Sequence, residues 1–280
     1  MEGINMGMEV NIKAFEDTKK LCERNDLLSK SIKGSIKGQR IIYEKDALEV
    51  SDLRRFEEKA SVKVTGRRTL EAAYLHRNDH VAVLNFTWER PGGRVAEGED
   101  GQQESLCRCT TLKPCLDACE DSFYKAKSRM LTPDFNNDVI FTPGVTVIKE
   151  DDYSPLLMPD TEWFDIDVIS CIPPDFASSR SGSRYQNPKD FNCSGVRLTW
   201  IHEKRLRRIL DVALANGCDT VILGAFGCGR AKNPVDIVAQ GMADALKDYM
   251  YAFKNVEIAV HDKFNNKVLW EFDKAISDKL

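Results

Sequence analysis

Two glycine-rich segments, each placed directly after an apolar run, contain the residues of this chain that could do chemistry. The first follows the apolar run 81–86, which includes Asn85, and contains Pro91-Gly92-Gly93-Arg94. Adjacent glycines after a buried strand let the backbone approach a bulky ligand and adopt φ > 0. Glu104, at the predicted start of the next helix, can reach back into this loop. The pattern predicts a diphosphate-binding loop with one acid beside it.

The second segment is Gly227-Cys228-Gly229, which follows the apolar run 220–223 and precedes a predicted helix at about 235–253. Backbone N–H groups of a glycine turn at a helix N-terminus bind anions without basic side chains. Taken alone, this pattern is more typical of a tight strand-to-helix turn. Its occurrence together with the first loop favours a second phosphate-binding turn. Arg90, Arg94 and Arg230 would then lie near the two loops, either contacting phosphate or exposed to solvent.

The segments that carry these loops resemble the poly(ADP-ribose) glycohydrolase branch of the macrodomain family. The similarity extends from about Thr69 to Asp262, with the landmarks in the family's order. The matching segments are VLNFTW at 83–88, GGR at 92–94, QQE at 102–104, SLCR at 105–108, TPGV at 142–145 and GCGRAKN at 227–233.

This resemblance implies hydrolysis of an O-glycosidic ADP-ribose linkage with release of ADP-ribose. Glu104 takes the position of the catalytic residue, expected to act as general acid and then general base through an oxocarbenium-like transition state. Gln103 takes the position of the acid that orients the ribose. No metal or cofactor is implied. The expected ligand-binding positions are Asn85, Trp88, Gly92, Gly93, Arg94, Gly144, Val145, Gly227, Cys228, Gly229, Arg230 and Asn233.

Four ligand-facing positions depart from the family pattern. Gln103 replaces a glutamate, Arg94 a glycine, Trp88 an asparagine and Ala231 a phenylalanine. These departures leave two alternatives open. One is a catalytically impaired module that binds ADP-ribose, and the other is a hydrolase of a different ADP-ribose adduct, such as one on a base or a side chain.

The order of the elements must bring the two loops together. Residues 1–36 are predicted to form an N-terminal helical extension, and residues 37–280 a macrodomain-like glycohydrolase domain. Strands alternate with helices through most of the chain, which predicts a three-layer α/β/α mixed sheet with helices on both faces. Ligands bind where the strands of such sheets end. The polar segment 175–194 is predicted to be a surface loop, which could also reach over the cleft and cover adenine.

Composition limits the remaining possibilities. A net charge of −4 over 280 residues argues against general nucleic-acid binding. The sequence has no membrane-spanning run and no apolar signal segment at its N-terminus, so a cytoplasmic protein is expected, or a nuclear one in a eukaryote. The expected partner is ADP-ribose or an ADP-ribosylated protein or polymer.

The nine cysteines, an odd number at irregular spacing, fit reduced thiols better than a disulfide framework. Four of them fall close together, at Cys107, Cys109, Cys115 and Cys119. Their spacing matches no standard zinc pattern, so buried helical side chains are the favoured interpretation and a zinc site the alternative.

Overall fold

The computed structural model describes residues 2–50, 52–88, 90–128, 136–175, 194–262 and 266–280. The helices in these ranges are α1 (Glu2–Arg24), α2 (Asp26–Gly38), α3 (Thr69–Leu75), α4 (Gln102–Cys109), α5 (Leu112–Asp117), α6 (Lys125–Ser128), α7 (Gly195–Ala215), α8 (Val235–Leu246) and α9 (Lys267–Ser277). The strands are β1 (Arg40–Ile42), β2 (Ser61–Thr65), β3 (Val81–Phe86), β4 (Val139–Val147), β5 (Phe164–Cys171), β6 (Thr220–Gly224) and β7 (Asn255–Ala259). None of the helices within these ranges is both long and apolar enough to cross a lipid bilayer.

The seven strands form one mixed sheet in the order β1-β4-β5-β3-β6-β7-β2. The five strands from β5 to β2 in this order run parallel to one another, whereas β4 is antiparallel to both β5 and β1. The sequence indicates two short strands around Pro143. The structure has one strand there, β4, whose register shifts between Thr142 and Val145. Gly144 absorbs this irregularity by taking φ +61°.

Alternate residues of the central strands supply two hydrophobic cores. Ala82 and Leu84 of β3 pack on one face of the sheet with α7, α8 and α9. Val81 and Val83 pack on the other face with α4 and α5. All four side chains are at most 1% exposed, as expected for a strand covered on both faces. The predicted three-layer α/β/α architecture is therefore confirmed.

The first helix, α1, is fixed to the segment that leads into α4. Asn11 Nδ2 donates to Gly98 O at 3.0 Å, and Thr18 Oγ1 donates to Arg108 O at 2.5 Å. The second helix, α2, packs on β4, where Ser35 Oγ donates to Gly144 O at 2.8 Å. The predicted helices of the N-terminal segment thus pack directly against the sheet and α4. A domain boundary between residues 36 and 37 stays a prediction.

The contact between α1 and Gly98 leads to a stability prediction. Gly98 has φ +78°, and a Cβ there would lie 2.4 Å from the carbonyl oxygen of Met8. We expect Gly98→Ala to lower the free energy of unfolding by about 1–3 kcal/mol, because backbone atoms of α1 cannot move aside cheaply. Urea denaturation measures the change.

Gly34→Ala is the matched control. Gly34 lies inside α2, and a Cβ there would meet nothing within 4 Å. This substitution should raise stability by about 0.5–1 kcal/mol, because alanine favours the helix. Equal stability of Gly98→Ala and the wild type would show that α1 is not fixed against this segment.

Candidate functional site

A cleft of about 650 Å³ lies at the carboxyl ends of the parallel strands β3, β6, β7 and β2. Its walls come from four regions: the first glycine loop with the start of α4, the start of α3, the second glycine loop, and the residues that follow β7. Parallel strands all end at the same edge of a sheet, which is where open α/β sheets bind ligands. The two glycine loops predicted from sequence therefore meet at one cavity.

The carboxylate of Glu104 sits in a narrow slot in this cleft. Glu104 is the third residue of α4 and is 7% exposed. Its Oε1 accepts a hydrogen bond from the backbone N–H of Arg94 at 3.1 Å. A Cβ at Gly93 would lie 2.2 Å from Oε1, and a Cβ at Gly101 would lie 2.2 Å from Oε2. The slot therefore exists only because both flanking residues are glycines.

Gln102 fixes the start of α4 against the end of β3. Its Oε1 accepts from the backbone N–H of Phe86 at 3.0 Å, and its Nε2 donates to Leu84 O at 2.7 Å. The side chain continues the hydrogen bonding of the strand beyond the sheet. Glu104 consequently starts from a helix whose position relative to β3 is fixed.

Gln103 is buried and its amide has a defined orientation. Its Oε1 accepts from Thr87 Oγ1 at 2.5 Å, and the same hydroxyl lies 2.8 Å from Tyr124 OH. Since Thr87 gives its proton to Gln103, it must accept from Tyr124. Burial raises the pKa of the Tyr124 phenol, so this donor remains protonated. The amide Nε2 is therefore turned toward Gly93, 3.0 Å from the point where a Cβ would lie.

Among the described residues, four carboxylates line the cleft, and Glu104 differs from the other three. Asp100 and Asp151 both pair with Arg68, at 3.5 and 3.6 Å. Asp262 accepts from a backbone N–H at the start of α9 at 3.1 Å. Within the described part of the chain, Glu104 makes no ion pair and its Oε2 accepts no hydrogen bond. Glu104 is thus the carboxylate best placed to exchange a proton with a bound molecule.

Arg68 is a cleft residue that the sequence analysis missed. It is 8% exposed, its guanidinium lies 4.6 Å from the Tyr153 ring centroid, and its Nη2 has no hydrogen-bond partner among the described residues. A buried unpaired donor at a cleft wall suits an anionic ligand. Arg68 lies at a third strand-to-helix junction, between β2 and the start of α3. The order of a strand, two arginines and a helix in the sequence could have identified this position.

The second glycine loop is braced from behind by Asn233. Gly227 has φ +81°. Asn233 Nδ2 donates to Pro174 O at 2.7 Å and to Gly227 O at 3.0 Å, and its Oδ1 lies 3.1 Å from His202 Nε2. Asn233 is 3% exposed and does not line the cleft. It shapes the loop rather than forming part of the cleft surface.

Arginines at the rim connect the two loops through one acid. Arg94 pairs with Glu99 at 3.2 Å, and Arg230 pairs with the same carboxylate. Arg94 has φ −111°, so the missing third glycine imposes no strain.

Burial raises the pKa of the Cys228 thiol to about 12, which leaves no thiolate nucleophile at this position near neutral pH.

The structure brings most of the predicted site residues to the cleft, which is lined by Trp88, Gly93, Arg94, Gln103, Glu104, Gly227, Cys228, Gly229 and Arg230. It places five others elsewhere: Asn85, Gly92, Gly144, Val145 and Asn233.

Each of these five residues lies outside the cleft lining for a structural reason. Gly144 and Val145 lie toward the opposite end of the sheet, because β4 runs antiparallel to β5. Asn85 is buried within the sheet and donates to Ser170 Oγ at 2.9 Å. A Cβ on Gly92 would point at the Lys113 side chain, 2.5 Å away. The predicted loop at 175–194 falls almost wholly on residues 176–193, outside the described residues.

The four neighbouring cysteines are all buried side chains of the helical segment that follows the first loop. No three of Cys107, Cys109, Cys115 and Cys119 bring their sulfur atoms within 4.8 Å of one another. Their thiols contact different groups, such as Glu150 O for Cys109 and Thr111 O for Cys115, both at 3.5 Å. The four cysteine side chains are therefore buried and packed, as the favoured interpretation predicts.

Comparison with known proteins gives a family and a fold. The model of the family described as microbial-type PARG, catalytic domain, matches residues 11–150. The structure of poly(ADP-ribose) glycohydrolase (PARG) from Thermomonospora curvata is 21% identical, with a TM-score of 0.80 over 97% of this chain and 100% of that one. PARG from Deinococcus radiodurans in complex with ADP-ribose is 24% identical, with a TM-score of 0.74 over 88% of this chain and 97% of that one. No curated protein matches this chain.

The histidine behind the second loop leads to a pH prediction. Burial lowers the pKa of His202 from 6.5 to about 4, so the folded protein holds it neutral. The unfolded chain binds the proton first as pH falls, and the stability present above pH 6.5 is lost progressively toward pH 4. Between pH 7 and pH 5 we expect His202 to remove about 2 kcal/mol from the free energy of unfolding.

Urea denaturation of the wild type and of His202→Gln at both pH values measures this effect. Glutamine can still donate to Asn233 but does not titrate in this range, so its loss of stability should be smaller by about 2 kcal/mol. An identical pH dependence in the two proteins would show that His202 is not buried in the neutral form.

Proposed function

The chain belongs to the family of microbial-type PARG catalytic domains, and we propose that Glu104 is the acid and base with which it releases ADP-ribose. The protein is accordingly a glycosidase that hydrolyses an O-glycosidic ADP-ribose linkage. Its proposed substrate is an ADP-ribosylated protein or polymer. The single observation that supports the role of Glu104 is its slot between Gly93 and Gly101, where no side chain separates the carboxylate from the cleft.

The geometry supports a mechanism with one proton carrier. The Arg94 N–H holds Oε1, and Oε2 remains available to the substrate. In the proposed first step, protonated Glu104 gives its proton to the leaving ribose oxygen as the glycosidic bond breaks. The carboxylate then takes a proton from the water that attacks the oxocarbenium-like carbon. Gln103 cannot act as a second acid, and the other three cleft carboxylates already have partners.

The diphosphate of ADP-ribose is proposed to lie between the two glycine loops. The proposed donors there are the backbone N–H groups of Gly227 and Gly229 and the guanidinium groups of Arg68 and Arg230. A cleft of about 650 Å³ is in the usual range for a site of this kind. Apolar contacts to the rest of the nucleotide would come from side chains such as Phe86 and Val260.

The orientation of Gln103 favours a second candidate, hydrolysis of a different ADP-ribose adduct. The hydroxyl of Thr87 occupies its oxygen, so the amide presents a donor to the cleft where a glutamate would present an acceptor. Trp88 adds a large ring to the same wall. Both residues line the cleft together with Glu104 and would therefore act on the group attached to ADP-ribose.

The role of Glu104 predicts a large kinetic effect from a small substitution. Glu104→Gln should lower turnover of ADP-ribosylated substrate by about 10²-fold or more, because general acid–base catalysis contributes about 10²–10⁴-fold. Binding should survive, since the amide keeps the size of the side chain. Release of ADP-ribose measures turnover, and the rise in melting temperature with ADP-ribose measures binding.

Glu97→Gln is the matched control, because Glu97 is half exposed at the rim and pairs with Arg90 and Arg94. It should retain nearly wild-type turnover. Wild-type protein that binds ADP-ribose but hydrolyses no linkage would favour a binding module. A Glu104→Gln variant with full activity would remove Glu104 from catalysis.

The positions of Gln103 and Trp88 predict a change of substrate rather than of stability. In the double variant Gln103→Glu with Trp88→Asn, we expect faster hydrolysis of poly(ADP-ribose) relative to other ADP-ribose adducts, because an acceptor and open space replace a donor and a ring. The Trp88→Asn change should alter thermal stability little, as Trp88 is only partly buried. ADP-ribose release from polymer and from modified protein, measured side by side, tests this.

The single variants separate the two contributions. Gln103→Glu alone tests the donor, and Trp88→Asn alone tests the ring. An unchanged preference between substrates in all three variants would contradict the proposal. A large drop in melting temperature for Trp88→Asn would instead identify Trp88 as a packing residue.

A further inference from the structure

We propose that His80, Asp167 and Cys218 form a zinc-binding site at the end of strands β3 and β6 opposite the cleft. The three strands β5, β3 and β6 are neighbours, with Ala82 of β3 paired to Asp167 of β5 and to Val221 of β6. His80 precedes β3 and Cys218 precedes β6, so the sheet itself brings the three side chains together. One ligand atom from each lies within 4.8 Å of the others.

The separations between these atoms are close to those of a tetrahedral zinc site. His80 Nε2 lies 2.8 Å from Asp167 Oδ2 and 3.9 Å from Cys218 Sγ, and Sγ lies 3.7 Å from Oδ2. Zinc bonds of about 2.0–2.3 Å at tetrahedral angles separate ligand atoms by about 3.4–3.6 Å. Opening the His80–Asp167 pair by several tenths of an ångström would admit the ion. The His80 side chain is 46% exposed and is free to make this shift.

The imidazole of His80 is oriented as a metal ligand rather than as a catalytic base. Its Nδ1 lies 3.2 Å from Gly217 O, and its Nε2 lies 2.8 Å from the Asp167 carboxylate; both oxygens accept, so each nitrogen donates in the metal-free protein. Zinc would take the place of the proton on Nε2, while Nδ1 keeps its hydrogen bond to the carbonyl. The other nitrogen, Nε2, faces both the carboxylate and the thiol. In a thiol–imidazole–carboxylate triad the two partners occupy opposite ring nitrogens. Here they converge on one nitrogen, while the other donates to a backbone carbonyl, as is usual for zinc-bound histidine.

The groups around the three ligands are consistent with a bound cation. Asp167 Oδ1 accepts from the backbone N–H of Gly144 at 3.0 Å, which fixes the carboxylate and leaves Oδ2 for the ion. The nearby Arg55 is paired with Asp219 at 3.1 Å. Zinc would replace the proton of the Cys218 thiol and release it to solvent.

The ligand set favours zinc and a structural role. Thiolate with imidazole suits zinc better than magnesium or calcium, which prefer oxygen ligands. The exposed edge of His80 gives an entry path and room for water as a fourth ligand. The six residues of β3 separate this site from Phe86 in the cleft by about 20 Å, at about 3.3 Å per residue. The ion would therefore bind the folded state and stabilise it rather than contact substrate.

The test uses the full chain, treated with a chelator and then titrated with zinc chloride alone. We expect one zinc ion per chain by competition with a chromogenic chelator, a rise in melting temperature with zinc, and proton release on binding. His80→Gln and Asp167→Asn, which nearly preserve side-chain volume, and Cys218→Ser should each weaken zinc binding by at least about tenfold. Cobalt in place of zinc should give a sulfur-to-metal charge-transfer band that is lost in Cys218→Ser.

The controls are Cys22→Ser and His76→Gln, which remove a thiol and an imidazole elsewhere in the chain and should bind zinc as the wild type does. Circular dichroism establishes that each variant is folded. Absence of saturable zinc binding to the wild type overturns the proposal. So does binding that the substitutions at His80, Asp167 and Cys218 leave unchanged, since zinc would then be held by other residues.

Discussion

The hydrogen bond from the Arg94 backbone N–H to the Glu104 carboxylate joins the first glycine loop to helix α4, and the cleft depends on this junction. The bond forms only because Gly93 and Gly101 leave space on both sides of the carboxylate. Two neighbouring interactions hold the junction in place: Gln102 ties α4 to the end of β3, and α1 packs against the preceding segment at Gly98. A short loop is thereby fixed by a strand, by the helix that follows it and by a helix from the N-terminus.

The charges of the described residues around the cleft are arranged so that Glu104 is left without a paired cation. Arg108 is fully buried, with Nη2 3.0 Å from Asp100 and Nη1 2.6 Å from Glu99 O. Asp100 and Asp151 share Arg68. Buried ions are costly unless paired, so these contacts offset the desolvation of the network rather than adding much stability. Their effect is to hold the walls of the cleft and to pair its buried arginines with acids other than Glu104.

Local sequence patterns predict nearly all of the elements but not how some of them are divided. The sequence predicts a helix from Glu104 to about Met130 with a break near Pro114. The helix that contains Glu104, α4, ends earlier, at Cys109, because Thr110 is extended and pairs with Val147. The two strands expected around Pro143 are one strand with a bulge. In both places a contact with a distant strand overrides a pattern that is correct for the segment alone. Such contacts depend on the packing of the whole sheet, so the residues of the segment itself do not predict them.

The sequence by itself determined the two glycine turns, the carboxylate of Glu104 and the strand-to-helix order that places them at one edge, because φ > 0 and close backbone approach require particular residue types. The tertiary structure decided what else reaches that edge. Arg68 enters the cleft because β2 lies beside β7, and Gly144 is excluded because β4 runs antiparallel to β5. The approach of His80 to Cys218, 138 residues apart, likewise follows from strand order. Strand order and direction result from long-range packing, which local periodicity does not specify.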